Sequence, residues 1–209
     1  MIPFVDRDAV DYLIQMNDHI DVIIPRGGKG LIKKINSQSL IPVIKHLDGI
    51  CHVYIDKDAD LEKAKKVLFN SKMRRPEICG ATETLLIDED IKKMSLNLLK
   101  PLIESDCEIR GDKYICSLSN KFLNASNKDW ATEYLDKIIS VKIVNGVRGA
   151  IKHIKKYSSG HTESIITENK KTFFDFYQNI DSAIILNNAS TQFADGGEFG
   201  FGAEIGIST

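Results

Sequence analysis

The chain has 209 residues, enough for one sizeable hydrophobic core or for two small domains. Apolar residues make up 43% of it and charged residues 27%, a composition that argues against wholesale disorder. With 28 basic and 29 acidic residues the charge is nearly balanced, so no overall field favours nucleic acid or an anionic membrane.

The N-terminus and the cysteines indicate a cytoplasmic protein. Residues 1–6 have neither the basic segment nor the long apolar segment of a signal peptide. No apolar run reaches the roughly 20 residues that a transmembrane helix needs. The four cysteines, Cys51, Cys79, Cys107 and Cys116, form no CxxC pair, and we interpret them as reduced thiols.

Helical and strand patterns alternate from the N-terminus onward. Asp6 is a candidate N-cap for a first helix that carries Ala9, Val10, Leu13 and Ile14. The elements predicted next are a buried strand at 20–24, a helix at 29–36, strands at 42–46 and 50–55, and a helix from 61 that Asp58 or Asp60 caps.

The same alternation continues to residue 186. The predicted elements are a strand at 83–87, a helix at 91–103, a β-hairpin at 108–115 with its turn at Gly111-Asp112, a strand at 138–144, a helix around 147–154, a strand at 164–167, a helix at 171–179 and a strand at 183–186. This order predicts an α/β fold with a largely parallel sheet. A glycine-rich stretch at 195–204 follows, either a flexible tail or a loop whose backbone passes close to something.

The strongest candidate for covalent chemistry lies in a polar loop at 74–84. Cys79 has Arg74 and Arg75 before it and Gly80 directly after it. Nearby cations favour the thiolate, which is the reactive form of cysteine. A backbone amide just after the nucleophile can also stabilise an oxyanion. On composition alone, however, a lone cysteine is more often a small core residue.

A second candidate is the loop between the predicted strand at 20–24 and the helix after it. Gly27, Gly28 and Gly30 expose backbone amides where a helix dipole favours a phosphate. Arg26 and Lys29 add positive charge. The spacing matches neither GxGxxG nor the P-loop pattern, so an ordinary turn is the stronger interpretation of this loop taken alone.

The histidines give a weaker signal. His161 follows a glycine turn and precedes a strand, a boundary where functional residues collect, but a loop histidine is more often exposed or bonded within its turn. We interpret His46, His52 and His153, which lie on strand or helix patterns, as structural. No group of histidine, cysteine and carboxylate has metal-ligand spacing, so we expect no metal site.

Ordered stretches along the whole chain resemble one known family. They are Ile-Pro-Arg-Gly-Gly at 24–28, the stretch DGICHVYID at 48–56, CGATETLL at 79–86, VNGVRGAIKHIKKYSSGHTESIIT at 144–167, and the NAST and FADGGEFG motifs at 188–200. Together they resemble the γ-glutamyl phosphate reductase family of the aldehyde dehydrogenase superfamily. The resemblance implies an aldehyde dehydrogenase-like α/β fold, with the remainder of a dinucleotide-binding domain at 1–47 and a catalytic domain at 48–209.

The resemblance also implies a reaction in proline biosynthesis. The Cys79 thiolate would attack γ-glutamyl phosphate, phosphate would leave, and NADPH would reduce the resulting thioester to glutamate 5-semialdehyde. No residue need activate a deacylating water, and the Glu-Leu-Gly-Gly glutamate of hydrolytic aldehyde dehydrogenases has no obvious counterpart here.

Cofactor contacts follow from the same resemblance. It implies that NADP is held by the loop residues Arg26, Gly27, Gly28 and Lys29. Glu133, in the stretch EYLD, resembles the superfamily glutamate that holds the nicotinamide ribose.

The chain also departs from the family. The chains of that family are longer, and the resemblance implies that this sequence corresponds to their C-terminal half. A missing N-terminal half supplied separately, or a second copy of the chain, are therefore the expected partners. Gly80 stands where the family commonly has asparagine. A catalytically inactive remnant and a binding module of the same family are the alternatives to an active reductase.

Overall fold

A computed structural model describes residues 6, 8–45 and 48–205. The described residues up to 45, with 204 and 205, form one compact unit, and Asp48–Ala203 form another.

The first unit contains two helices, α1 (Asp8–Leu13) and α2 (Lys29–Gln38). The side chain of Asp6 accepts a hydrogen bond from the backbone of Asp8 at 3.1 Å, as a capping residue does. The apolar residues buried within this unit are Ile14, Ile32, Ile35 and Ile41.

The strands predicted at 20–24 and 42–46 are reduced to one parallel bridge between Ile23 and Val43. The next ladder bond in a parallel pair would need an N–H at Pro25, and proline has none. The prediction that the first of these segments is buried is also wrong, because Val22 and Ile24 are 43% and 47% exposed. His46 lies outside the described residues.

The second unit alternates strands and helices around one sheet. Its elements are β1 (Cys51–Ile55), α3 (Leu61–Met73), β2 (Thr82–Asp88), a 3-10 helix (Glu89–Met94), α4 (Ser95–Ile103), β3 (Glu108–Gly111), α5 (Lys113–Ser117), β4 (Leu123–Asn124), a 3-10 helix (Asp129–Ala131), β5 (Ile138–Val144), α6 (Gly146–Tyr157), β6 (Thr162–Ile166), α7 (Lys170–Asn179), β7 (Ile184–Asn187) and a 3-10 helix (Thr191–Phe193). The strands are ordered β4-β3-β5-β2-β1-β6-β7, and every pairing is parallel. The predicted α/β fold with a parallel sheet is confirmed.

The predicted hairpin at 108–115 is wrong. β3 pairs in parallel with β5, and α5 follows it directly. Asp112 caps that helix by accepting the Ile115 amide at 3.0 Å, and its other oxygen accepts the Ile143 amide at 2.7 Å. Gly-Asp here is a helix start, since the same residue types that favour turns also favour N-caps.

The sheet separates two hydrophobic cores. Side chains alternate along each strand, so that Leu85 and Ile87 of β2 face α3 and α4 while Leu86 faces α6 and α7. β2 is buried along its whole length because helices cover both faces of a parallel sheet. The amino ends of β1, β2 and β6 meet at one edge, where Cys51 pairs with Thr82 and His52 with Glu163.

Candidate active site

Cys79 lies in a turn between α3 and β2, at the amino edge of the sheet. The Ala81 amide closes the turn on the Ile78 carbonyl at 2.9 Å. Cys79 is half-buried as a residue, unlike the fully buried Cys51. Partial exposure is one of the two features of a reactive cysteine, and nearby positive charge is the other.

The two arginines before Cys79 have surroundings of their own, and their effect on the Cys79 thiolate stays a prediction. The guanidinium of Arg74 forms an ion pair with Glu198, so its charge is already compensated. Arg75 is exposed, and solvent screens its charge. Among the described hydrogen bonds, neither arginine contacts Cys79.

The floor of the turn is formed by Gly49 and Cys51. A Cβ placed on Gly49 would lie 2.2 Å from the Cys79 carbonyl oxygen, so only glycine allows this approach. The Cys51 thiol donates to the same carbonyl oxygen at 3.2 Å. Burial, followed by the negative charges of Glu163, Cys79 and Glu83, raises the pKa of Cys51 well above its usual value.

The other side of the turn packs on the 3-10 helix at Thr191–Phe193. A Cβ on Gly80 would lie 3.2 Å from the Thr191 carbonyl oxygen, which is tight but not forbidden. The hydroxyls of Thr82 and Thr191 are 2.9 Å apart. Gly80 is not among the glycines with positive φ, so its backbone conformation would accept a larger residue. Only the close packing against Thr191 opposes a side chain at this position.

Glu133 is brought to the same turn. Its Oε1 accepts the Gly49 amide at 2.8 Å, so its carboxylate is anchored next to the residue that contacts the Cys79 carbonyl. The structure therefore places Cys79 and Glu133, which are far apart in sequence, on the two sides of Gly49.

A buried ion pair lies behind this arrangement. Lys72 of α3 and Glu83 of β2 are 2.7 Å apart with side chains 0% and 1% exposed. The other oxygen of Glu83 accepts the amide of Leu135, two residues after Glu133, at 3.2 Å. Burial raises the pKa of Glu83, although Lys72 opposes the shift. The sequence analysis missed this pair, yet Lys72 lies four residues after Leu68 on the inner face of the predicted helix, which was the available signal.

His161 is fully buried, not an exposed loop residue. Its Nδ1 is 2.8 Å from the Thr162 hydroxyl oxygen and 3.5 Å from the Cys51 sulfur. His52 is also buried, with Nδ1 3.0 Å from a Glu163 carboxylate oxygen, in agreement with a structural role. The sequence could not predict Cys51 and His161 as neighbours, because they are 110 positions apart and come together only when β1 pairs with β6.

The glycine-rich stretch before residue 204 is a loop that closes on itself. A Cβ on Gly196 would lie 2.5 Å from the Ala203 backbone, and the amide of Phe201 donates to Gly196 at 2.7 Å. Gly200 and Gly202 have φ of 77° and 89°, which glycine adopts without strain. The ion pair of Glu198 with Arg74 joins this loop to the segment before Cys79.

The candidate cofactor loop belongs to the first unit. Gly28 is the N-cap of α2 and offers no side-chain capping bond, while Arg26 and Gly27 are exposed. Gly28 and Gly30 are exposed, and a Cβ on either of them would meet open space. Lys29 begins the helix, but its side chain lies outside what the structure describes.

No group of histidine, cysteine and carboxylate side chains among the described residues is arranged to hold a metal ion. No helix in the same residues has both the length and the apolar character needed to span a membrane.

Comparisons with known proteins identify close relatives. The chain is 54% identical over its whole length to a γ-glutamyl phosphate reductase of Bartonella tribocorum and covers 51% of that protein. It matches the crystal structure of γ-glutamyl phosphate reductase from Thermotoga maritima with a TM-score of 0.95 and 45% identity, covering all of this chain and 50% of that one. No family model matches.

A more distant neighbour shows the fold alone. An acetylating aldehyde dehydrogenase from Geobacillus thermoglucosidasius matches 92% of the chain with a TM-score of 0.69 and 22% identity. The aldehyde dehydrogenase-like fold expected from the sequence is therefore confirmed, as is the resemblance to γ-glutamyl phosphate reductases. The chain spans about half the length of the curated relatives it matches.

Proposed function

We propose that this chain, which resembles γ-glutamyl phosphate reductases along its whole length, carries the nucleophile of such a reductase. The reaction is the NADPH-dependent reduction of γ-glutamyl phosphate to glutamate 5-semialdehyde and phosphate, a step of proline biosynthesis. The observation that carries the proposal is the turn at Cys79, where a half-buried cysteine packs on Gly49 and accepts a hydrogen bond from Cys51. Glu133 is bonded to the same Gly49.

The chemistry follows from a nucleophile that is also a good leaving group. The Cys79 sulfur forms a bond to the acyl carbon, and the bond from that carbon to the phosphate oxygen breaks, so that phosphate leaves with the electron pair. When bound, NADPH supplies the hydride that reduces the resulting thioester. The sulfur then departs as thiolate, and the aldehyde is released. Backbone amides of the turn other than that of Ala81, which closes the turn, are the candidate donors to the developing oxyanion.

The proposal also assigns residues of each unit to a nicotinamide cofactor. In the first, the exposed glycines at the start of the ten-residue helix α2, with Arg26 and Lys29 adjacent to them in sequence, suit a phosphate group. In the second, Glu133 is anchored on Gly49 beside the nucleophile turn, where a carboxylate suits a ribose hydroxyl. We assign Arg26, Gly27, Gly28, Lys29 and Glu133 to cofactor binding, and the cofactor to NADP.

The chain covers only part of its relatives, and this limits the activity that we expect from it alone. Because the chain spans about half their length, we expect full turnover only when the complementary half is present, on the same polypeptide or as a separate one. The domain assignment belongs to the same proposal, with 1–47 as part of the dinucleotide-binding domain and 48–209 as the catalytic domain.

The test is the reverse reaction, followed by NADPH absorbance with glutamate 5-semialdehyde, phosphate and NADP⁺. We expect the chain mixed with a separately expressed complementary half to form NADPH, and Cys79→Ser to abolish this. Cys116→Ser, a change to another half-buried cysteine of the same unit, is the matched control and should retain activity.

Two outcomes would contradict the proposal. A rate that Cys79→Ser leaves unchanged would remove Cys79 from the chemistry. No rate with the complementary half present, from a mixture that forms a stable complex, would favour an inactive remnant or a binding module of the same family.

A further inference from the structure

We propose that Cys51 is a positioning residue for the nucleophile: its thiol holds the carbonyl group of Cys79 and thereby fixes the turn from which the Cys79 sulfur reacts. The inference rests on the proposed function only in taking Cys79 as the nucleophile. Cys51 itself does not touch the substrate, because its side chain is fully buried.

The hydrogen bonding of the turn leaves the Cys79 carbonyl group to be held by a side-chain donor. Cys79 is the second residue of the turn at 78–81, which the Ala81 amide closes on the Ile78 carbonyl at 2.9 Å. That bond does not involve the Cys79 carbonyl group, which accepts no backbone N–H among the described bonds. The Cys51 sulfur, 3.2 Å from the carbonyl oxygen, is the donor that it has. A held carbonyl fixes the peptide plane between Cys79 and Gly80, and with it the direction of the side chain.

The position of Cys51 is itself rigid. β1 lies between β2 and β6, and Cys51 pairs with Thr82, three residues after the nucleophile. Gly49 has no Cβ, so residues 49–51 pass directly under the turn. The Nδ1 of His161, 3.5 Å from the Cys51 sulfur, and the Thr162 hydroxyl oxygen, 2.8 Å from that nitrogen, enclose the thiol on its remaining side.

The environment of Cys51 gives its thiol a different chemical role from that proposed for Cys79. Burial, with Glu163, Cys79 and Glu83 nearby, raises the pKa of Cys51 well above its usual value, so the thiol keeps its proton. A protonated thiol is a donor and a poor nucleophile. Cys51 therefore donates to the turn and does not compete with Cys79 for an electrophile.

The test compares the reaction of Cys79 with iodoacetamide in the full chain and three variants, as a function of pH, using mass spectrometry of the Cys79 peptide. Cys51→Ala removes the donor, and we expect it to slow alkylation of Cys79 about fivefold, the size of one hydrogen bond. Cys51→Ser keeps a donor and should restore the rate to within about twofold. Cys107→Ala is the matched control, a buried cysteine whose thiol does not contact the turn.

A merely structural role for Cys51 predicts a different result. Loss of packing would affect the serine and alanine variants alike, so equal rates in both would overturn the proposal, as would a wild-type rate in Cys51→Ala. Folding is checked by the fluorescence of buried Trp130. If Cys51→Ala does not fold, Cys51→Val replaces it as the variant without a donor. Alkylation needs neither substrate nor cofactor, so failure of the reductase assay leaves this result interpretable.

Discussion

Gly49 shows how one residue controls the geometry of the candidate site. A side chain there would lie 2.2 Å from the Cys79 carbonyl oxygen and 2.7 Å from its Cα, and both are backbone atoms that cannot move aside cheaply. The same residue donates its amide to Glu133. Gly49 therefore links the turn at Cys79 to the carboxylate that we assign to the cofactor.

Gly49→Ala should displace the turn at Cys79. We expect a loss of about 1–3 kcal/mol in the free energy of unfolding and slower alkylation of Cys79 by iodoacetamide. Gly80→Ala is the comparison, because its Cβ would meet the Thr191 carbonyl oxygen at 3.2 Å, and a shift of a few tenths of an ångström relieves this contact. An alkylation rate that falls as much in Gly80→Ala as in Gly49→Ala would contradict this explanation.

His153 makes the stability of the second unit depend on pH. Burial, followed by the charges of His52, Lys142 and Lys156, lowers the pKa of His153 to about 2. The unfolded chain binds a proton at this histidine below about pH 6.5, whereas the folded chain does not. The folded state is thus favoured above that pH, and the contribution is lost as pH falls from about 6.5 towards 2.

Replacing His153 should flatten this acid dependence. Between pH 7 and pH 5, keeping His153 neutral lowers the free energy of unfolding by about 2 kcal/mol. His153→Phe keeps a ring against Trp130 but cannot be protonated, so its free energy of unfolding should fall by about 2 kcal/mol less over the same pH change. Urea denaturation followed by Trp130 fluorescence measures it. His19→Gln, a change to an exposed histidine, serves as the control. Parallel pH profiles for wild type and His153→Phe would show that His153 is charged in the folded state.

At the level of elements, strand β2 contributes apolar side chains to the hydrophobic core and the carboxylate of Glu83 to the polar contacts behind the turn at Cys79. The register of β1 against β2 shifts between Cys51 and His52, which leaves Glu83 without a partner residue on β1. Such bulges reorient side chains next to functional sites. Here the displaced residue forms the ion pair with Lys72 and holds the backbone at Leu135, so helix, strand and the Glu133 loop are joined by one carboxylate.

Breaking this ion pair from one side should cost more than removing its charges together. Lys72→Met leaves Glu83 buried without its cation, and we expect a loss of about 3–5 kcal/mol in the free energy of unfolding. The double variant Lys72→Met with Glu83→Gln should recover most of that loss, because glutamine is neutral and keeps an oxygen for the Leu135 amide. Urea denaturation monitored by Trp130 fluorescence gives both values.

A surface pair of the same helix provides the control. Lys65 and Glu62 are 2.7 Å apart, with side chains 18% and 75% exposed, so the glutamate stays solvated when its partner is removed. Lys65→Met should therefore change stability by no more than about 0.5 kcal/mol. If the double variant were as unstable as Lys72→Met alone, lost packing rather than an uncompensated charge would explain the effect.

Most element types were predictable because their signals are local. Asp60, one of two predicted caps, does cap α3 by accepting the amides of Glu62 and Lys63. The predicted strand at 138–144 coincides with β5, Ile138–Val144. The hairpin prediction failed because Gly111-Asp112 satisfies the rules for a turn and for an N-cap equally well. Only the partner of β3, distant in sequence, decides between them.

On the scale of the whole molecule, two compact units are described, and the chain covers about half of each relative. The first unit offers exposed glycines at the start of α2, and the second offers the turn at Cys79 with Glu133 bonded to Gly49. Neither supplies a complete reductase by the proposed mechanism. This is why the activity test includes the complementary half while the thiol and stability tests do not.

The sequence by itself determined the strand and helix order, the α/β class, the resemblance to γ-glutamyl phosphate reductases and Cys79 as the candidate nucleophile. These depend on periodicity, capping residues and motifs, which are properties of neighbouring residues. Tertiary structure alone decided that Arg74 pairs with Glu198 and that Glu133 reaches Gly49. It also decided that the Cys51 thiol lies under the Cys79 carbonyl. These contacts join residues 28 to 124 positions apart, and folding brings such residues together without leaving a periodic pattern in the sequence.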